Sequence, residues 1–205
     1  MDLNPIIVTF WGQNQEKLQL LEKHLSENGI KQWSYYFGFP GQGLKLRISE
    51  KEIYYADPNV LRNKYVGQNL THYGLWAALK MMAERDPKET QWTIMEDDCE
   101  LVENWTEPFG EAIEDLPSDW DIVFFGSCCT EIATLKRVSE NLYRGAGLCL
   151  HWYMLRRKAL DILLETNKFI RARMDVQMLK DSYPHLKTYT VLPSLAGQRD
   201  TVLQK

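Results

Sequence analysis

Two periodicities alternate along the chain. Pro5-Ile6-Ile7-Val8-Thr9-Phe10 is apolar on both faces, which predicts a strand buried on both sides of a sheet. Gly12 and Asn14 turn the chain, and Leu18, Leu21 and Leu25 then recur at helical spacing from Gln15 until Asn28-Gly29 supplies a left-handed stop. Trp33-Ser34-Tyr35-Tyr36-Phe37 reads as a second strand, so strand, helix and strand form a right-handed crossover with parallel pairing. Periodicity fails from Gly38 to Lys64, a loop long enough to shape a pocket or simply to cross the surface. Gln68 to Arg85 is the strongest helix, apolar on more than one face and therefore largely buried. A strand at Trp92-Thr93-Ile94-Met95, a short helix from Trp105 to Glu114 and strands at Ile122–Gly126 and Leu148–Leu155 follow. Helices over Arg157–Thr166 and Asp175–Tyr183 and a last strand over Leu186–Leu192 complete the pattern. Such alternation predicts an α/β fold with a mostly parallel central sheet flanked by helices.

A chain of 205 residues, 44% hydrophobic, suits one domain over 1–205. A net charge of −4 with no long basic run gives no electrostatic footprint for nucleic acid, and an anionic ligand would need local help from a cation. The amino-terminal Met1-Asp2-Leu3-Asn4-Pro5 lacks the blocks of a signal peptide and no apolar stretch reaches membrane-spanning length, so a cytoplasmic protein without a transmembrane segment is expected. Cys99, Cys128, Cys129 and Cys149 have neither metal-binding spacing nor a secreted framework. Reduced, packed thiols are expected, with a Cys99–Cys149 disulfide as the alternative.

The candidate chemistry sits where the apolar run Trp92–Met95 ends in Glu96-Asp97-Asp98. Three adjacent carboxylates repel one another and are costly to bury without a cation. If the strand continues past Met95, Glu96 and Asp98 share one face and Asp97 points to the other. Oxygen donors favour Mg²⁺ or Mn²⁺, ions that keep positions open for water and phosphate; the plainer alternative is a solvated acidic turn. Gly126-Ser127 lies at the carboxyl end of its strand, where open α/β sheets place ligands. His72, one turn before Trp76, reads as a core histidine, Asp121 as a cap, and Asp175 as an ordinary helix N-cap on spacing alone. His151 and Tyr153 share one face of their strand.

The order of these elements resembles glycosyltransferase family 25, which includes bacterial lipooligosaccharide and collagen galactosyltransferases. Leu70-Thr71-His72-Tyr73-Gly74-Leu75-Trp76 is similar to the family's Leu-Ser-His segment, with tryptophan four residues beyond the histidine. Thr93-Ile94-Met95-Glu96-Asp97-Asp98-Cys99 is similar to its Ile-Leu-Glu-Asp-Asp-Val. His151-Trp152-Tyr153-Met154-Leu155-Arg156-Arg157 resembles its His-Ala-Tyr-Val-Leu-Ser-Arg, Asp175 falls where the family has Pro-x-Asp, and Pro193 to Gln198 echoes its terminal Pro and Gln. Where the family carries arginines soon after the first strand, this chain has Trp11-Gly12-Gln13-Asn14-Gln15-Glu16-Lys17.

The resemblance implies a GT-A fold and inverting transfer of a hexose, galactose or glucose, from a UDP-sugar to a glycan or other hydroxylated acceptor. It implies Mn²⁺ (or Mg²⁺) on Asp98, with Glu96 as a further metal or ribose contact, His151 as a metal or diphosphate contact, and Asp97, Gly126 and Ser127 lining the donor. Asp175 is the candidate base. A catalytically silent sugar-nucleotide-binding module and a metal-dependent phosphohydrolase are the competing classes.

Overall fold

A computed structural model describes residues 3–10, 15–39, 63–88, 90–128 and 135–199. The chain runs β1 (Ile6–Phe10), α1 (Gln15–Glu27), β2 (Ser34–Gly38), α2 (Asn63–Arg85), β3 (Gln91–Glu96), β4 (Cys99–Leu101), α3 (Thr106–Glu114), β5 (Ile122–Cys128), β6 (Lys136–Arg137), β7 (Leu142–Arg144), β8 (Leu148–Arg156), α4 (Ala159–Asn167), α5 (Met174–Gln177), β9 (Thr188–Val191) and β10 (Ala196–Gln198). A π turn at Met178–Ser182 and a 3-10 turn at Tyr183–His185 join α5 to β9. Most of the long pool of the chain between β2 and α2, within the predicted loop Gly38–Lys64, lies outside the described residues.

Eight strands form one sheet in the order β2-β1-β3-β8-β5-β9-β7-β6, and β10 pairs separately with β4. β1 is parallel to β2 and β3, and β5 to β9. β8 enters antiparallel between β3 and β5. Following the pairings across the sheet, six of the eight strands point one way and only β7 and β8 run back, so the sheet is mostly parallel in direction, as predicted.

Alternation along the strands builds a core on each face. Ile7, Met95, Val123, Phe125, Trp152 and Met154 meet Leu21 and Leu25 of α1 and Phe109 of α3. Their neighbours Val8, Ile94, Ile122, Phe124, Tyr153 and Leu155 meet Leu75, Trp76 and Leu79 of α2 and Leu160 and Leu163 of α4. Residues one apart face opposite ways, which is why these strands are apolar on both sides and why helices cover both faces.

The cysteines correct the sequence reading. Cys128 and Cys149 form a disulfide, and Cys99 is free and buried. The antiparallel register that sets Cys128 opposite Leu148 brings Cys149 alongside, whereas Cys99 turns into the core at the start of β4. Asp175 is not an N-cap: Arg173 holds that position and Asp175 lies inside α5. Asp121 is structural. It accepts a hydrogen bond from the Lys187 N–H (2.7 Å) and pairs with Lys158 (2.7 Å), tying β9 to the entry of α4.

Candidate functional site

β1 has β2 on one side and β3 on the other, and the chain leaves β1 towards β2 but leaves β3 towards β5, in opposite directions along the sheet. The carboxyl ends of β1 and β3 thus flank a topological switch point, the crevice where open α/β sheets take ligands. The acidic triplet lies there. β3 ends at Glu96, Asp97 and Asp98 form a turn, and β4 begins at Cys99. The extended geometry that would have set Glu96 and Asp98 on one face therefore stops two residues too early, because the turn redirects the chain and alternation no longer applies. The turn is fastened at three places. The Thr9 hydroxyl donates to Asp97 Oδ2 (2.7 Å), the Asp97 N–H donates to the Val8 carbonyl (3.1 Å), and the Arg199 N–H donates to the Asp98 carbonyl (2.7 Å). Leu101, at the end of β4, donates its N–H to His24 Nε2 on α1 (2.9 Å).

Each carboxylate has a different environment. Glu96 Oε1 accepts from Gln68 Nε2 (3.0 Å) and meets His72 Nε2 (3.2 Å), both from α2. Burial pushes the Glu96 carboxyl up, but the hydrogen bonds from His72 and Gln68 and the nearness of the His72 and His151 rings outweigh it and hold the group below its ordinary value. Asp98 goes the other way: burial, then the neighbouring charges of Glu96 and Asp97, push it up to about 7 against the opposing pull of Lys17. Its Oδ1 is buried without a hydrogen-bond partner among the described residues.

That orphaned oxygen fits a hard cation. Among the described residues, however, no three His, Cys, Asp or Glu side chains come together as a metal-holding group, so Glu96, Asp98 and His151 do not form a three-ligand set. The donor chemistry suits an ion that takes one or two protein oxygens and fills its remaining positions with water and phosphate. Glu96 Oε1 is already committed to α2, which leaves Asp98 as the better donor.

The other predicted residues converge on the same end of the sheet. The register that sets Ile94 opposite Tyr153 and Met95 opposite Trp152 carries on towards Glu96 and His151. His151 is buried, with Nδ1 unpartnered among the described residues, and burial lowers its pKa against the opposing charges of Glu96 and Asp175. A Cβ at Gly126 would stand 2.8 Å from His151 Cδ2 and 3.2 Å from Ala196 Cβ, so this glycine makes room for the histidine rather than for a ligand. The strand is irregular here, its register with β8 shifting on both sides of Gly126. The Ser127 N–H donates to Ser194 Oγ (3.1 Å). Asp175 accepts from the Cys149 N–H at Oδ2 (3.1 Å) and from the Val176 N–H at Oδ1 (2.8 Å), which fixes α5 to the start of β8.

A cavity of about 110 Å³ opens between β1, β3 and α2, lined by all three acidic residues with Val8, Gln68, Thr71, His72 and Gln198. His151, Gly126, Ser127 and Asp175 lie outside this lining. Gln68 and Thr71 were not singled out from the sequence, and His72 was assigned to the core alone. The available signal was polar side chains at four-residue spacing, Gln68 and His72, on a helix otherwise apolar enough to be buried. A larger hollow of about 820 Å³ lies at the amino ends of β1 and β3, and among the described residues its lining, which includes Ile6, Trp92, Ile113 and Met154, has no carboxylate or histidine.

No family model matches the chain, and no curated protein matches it significantly in sequence. Among solved structures, it is similar to a glycosyltransferase involved in the glycosylation of the major capsid of PBCV-1, with 11% identity and a TM-score of 0.47 over 91% of this chain and 81% of that one. It is also similar to A197 from STIV, with 15% identity and a TM-score of 0.43 over 93% of this chain and 81% of the other. Likeness at this level assigns neither a family nor an activity.

Proposed function

We propose that this chain is a GT-A-type glycosyltransferase that moves a hexose from a UDP-sugar to an acceptor hydroxyl with inversion. The observation that carries the reading is the acidic turn Glu96-Asp97-Asp98, fastened at the switch-point crevice with Asp98 Oδ1 buried and without a partner among the described residues, beside a cavity lined mostly by polar side chains. An anionic diphosphate cannot approach three carboxylates unaided, so a cation is required between them. Mn²⁺ or Mg²⁺ held by Asp98 would supply that charge and stabilise the departing diphosphate. Glu96, oriented by Gln68 and His72, is the candidate hydrogen-bond acceptor for a donor hydroxyl. The acceptor oxygen would form its bond to the anomeric carbon as the bond to the diphosphate breaks, and Asp175, outside the cavity lining and held by the Cys149 and Val176 N–H groups, is the candidate base for the hydroxyl proton.

Incubation with a panel of sugar nucleotides and an acceptor panel, with Mn²⁺ or with chelator, tests the reading through release of nucleoside diphosphate. Metal-dependent release from one donor with transfer of its sugar supports it. Cleavage to nucleoside monophosphate and sugar phosphate identifies a phosphohydrolase, and binding without turnover identifies a silent module. Absence of sugar-nucleotide binding refutes all three.

A further inference from the structure

Gln68, His72 and Trp76 stand at successive four-residue steps on α2, one above another on a single helix face. Gln68 and His72 reach Glu96 Oε1, while Trp76 Nε1 donates to the Tyr153 hydroxyl (3.2 Å), which lies 3.1 Å from His72 Nδ1. His72, Trp76 and Tyr153 are fully buried, so water cannot substitute for any of these partners. We propose that His72 is the positioning residue of Glu96, and that Tyr153 and Trp76 set the ring in the tautomer this task requires.

The donor and acceptor capacities permit one arrangement in which every proton has an acceptor. An indole N–H can only donate, so the Tyr153 oxygen accepts from Trp76 and its own proton goes to His72 Nδ1. The ring proton is then on Nε2, where it donates to Glu96 Oε1. With the proton on Nδ1 instead, Nε2 would turn a lone pair towards a carboxylate and the Tyr153 proton would have no acceptor. With Gln68 bonded to the same oxygen, Oε1 carries two donors and Glu96 is locked in one orientation, its second oxygen left for a ligand. A carboxylate so held accepts only from donors, which selects a hydroxyl over a carbonyl at that position. The proposal rests on the reading of Glu96 as a donor-binding group, but the orientation of His72 does not.

The test has two arms on the full chain. Imidazole ¹⁵N NMR should find His72 with its proton on Nε2, and Tyr153→Phe, which keeps the ring and deletes the hydroxyl, should change that signal; a proton on Nδ1 overturns the proposal. Calorimetry with a UDP-hexose should show His72→Leu weakening binding by about tenfold, and His72→Gln, which can place an amide N–H near the original Nε2, recovering most of it. In a Glu96→Gln background the same His72→Leu change should cost less than about twofold, because its partner has been removed. Equal losses in both backgrounds overturn positioning. A wild-type protein that binds no sugar nucleotide refutes the proposed function instead, and the tautomer then decides the positioning alone.

Discussion

Thr9→Val probes the link between the sheet and the acidic turn. Valine reproduces the shape of threonine and removes only the hydroxyl, so the central strand loses no volume while Asp97 loses a donor at 2.7 Å. Thr9 is fully buried and Asp97 is 8% exposed, so solvent can replace the bond only in part. A hydrogen bond to a charged group contributes about 1.5–3 kcal/mol. For a chain of this length each kcal/mol shifts Tm by about 2–4 °C, giving an expected loss of about 3–12 °C. The Asp97 N–H remains bonded to Val8, so the turn should loosen rather than detach. Urea denaturation should show a lower midpoint with unchanged m-value. In an Asp97→Asn background the bond is neutral, and the cost of Thr9→Val should fall to about 0.5–1.5 kcal/mol. A cost within about 0.5 kcal/mol of zero, or the same cost in both backgrounds, would refute the assignment of this bond as the fastening of the turn.

In metal-free protein, Asp98 has a folded pKa raised above its unfolded value, so the folded state binds the extra proton and stability should fall as pH rises from about 4 to about 7. Asp98→Asn should remove that slope, and Mn²⁺ should raise Tm more at pH 8 than at pH 5; a slope unchanged in the variant contradicts the placement. Reducing the Cys128–Cys149 disulfide, which closes a sequence separation of 21, should cost about 3 kcal/mol in the wild type and nothing further in Cys128→Ser/Cys149→Ser, as read by denaturation with and without dithiothreitol. Asp175→Asn keeps an acceptor for only one of the two backbone N–H groups, so Tm must first show that it folds; folded, it should leave sugar-nucleotide affinity nearly unchanged while cutting transfer by roughly two to four decades at saturating acceptor. Wild-type transfer would remove Asp175 from the mechanism, and a parallel loss of donor affinity would move it to the binding site.

The main strands were legible because burial on both faces writes continuous apolar runs, as in Ile7-Val8 and Ile122–Phe125. The strap formed by β4 and β10 was not, since Cys99-Glu100-Leu101 and Ala196-Gly197-Gln198 are too short to show a period and pair only through distant register. The importance of Glu96-Asp97-Asp98 was readable from charge, but the division of labour among the three was not: it depends on Thr9, Gln68 and His72, which the fold brings from two other elements. The sequence ends this strand at Gly126, whereas it runs on to Cys128, and the contact of Gly126 with His151 arises from a local irregularity that no pattern in the sequence announces.

The clasp between β10 and β4 also sets an order of assembly. A nascent chain can form β1, β2 and β3, with their crossover helices, long before Gln198 and Arg199 have been synthesised. Until then the Asp98 carbonyl lacks its partner N–H and the Gln198 wall of the cavity is missing. The turn made from the middle of the chain is therefore closed only once β10 has been synthesised and has paired with β4.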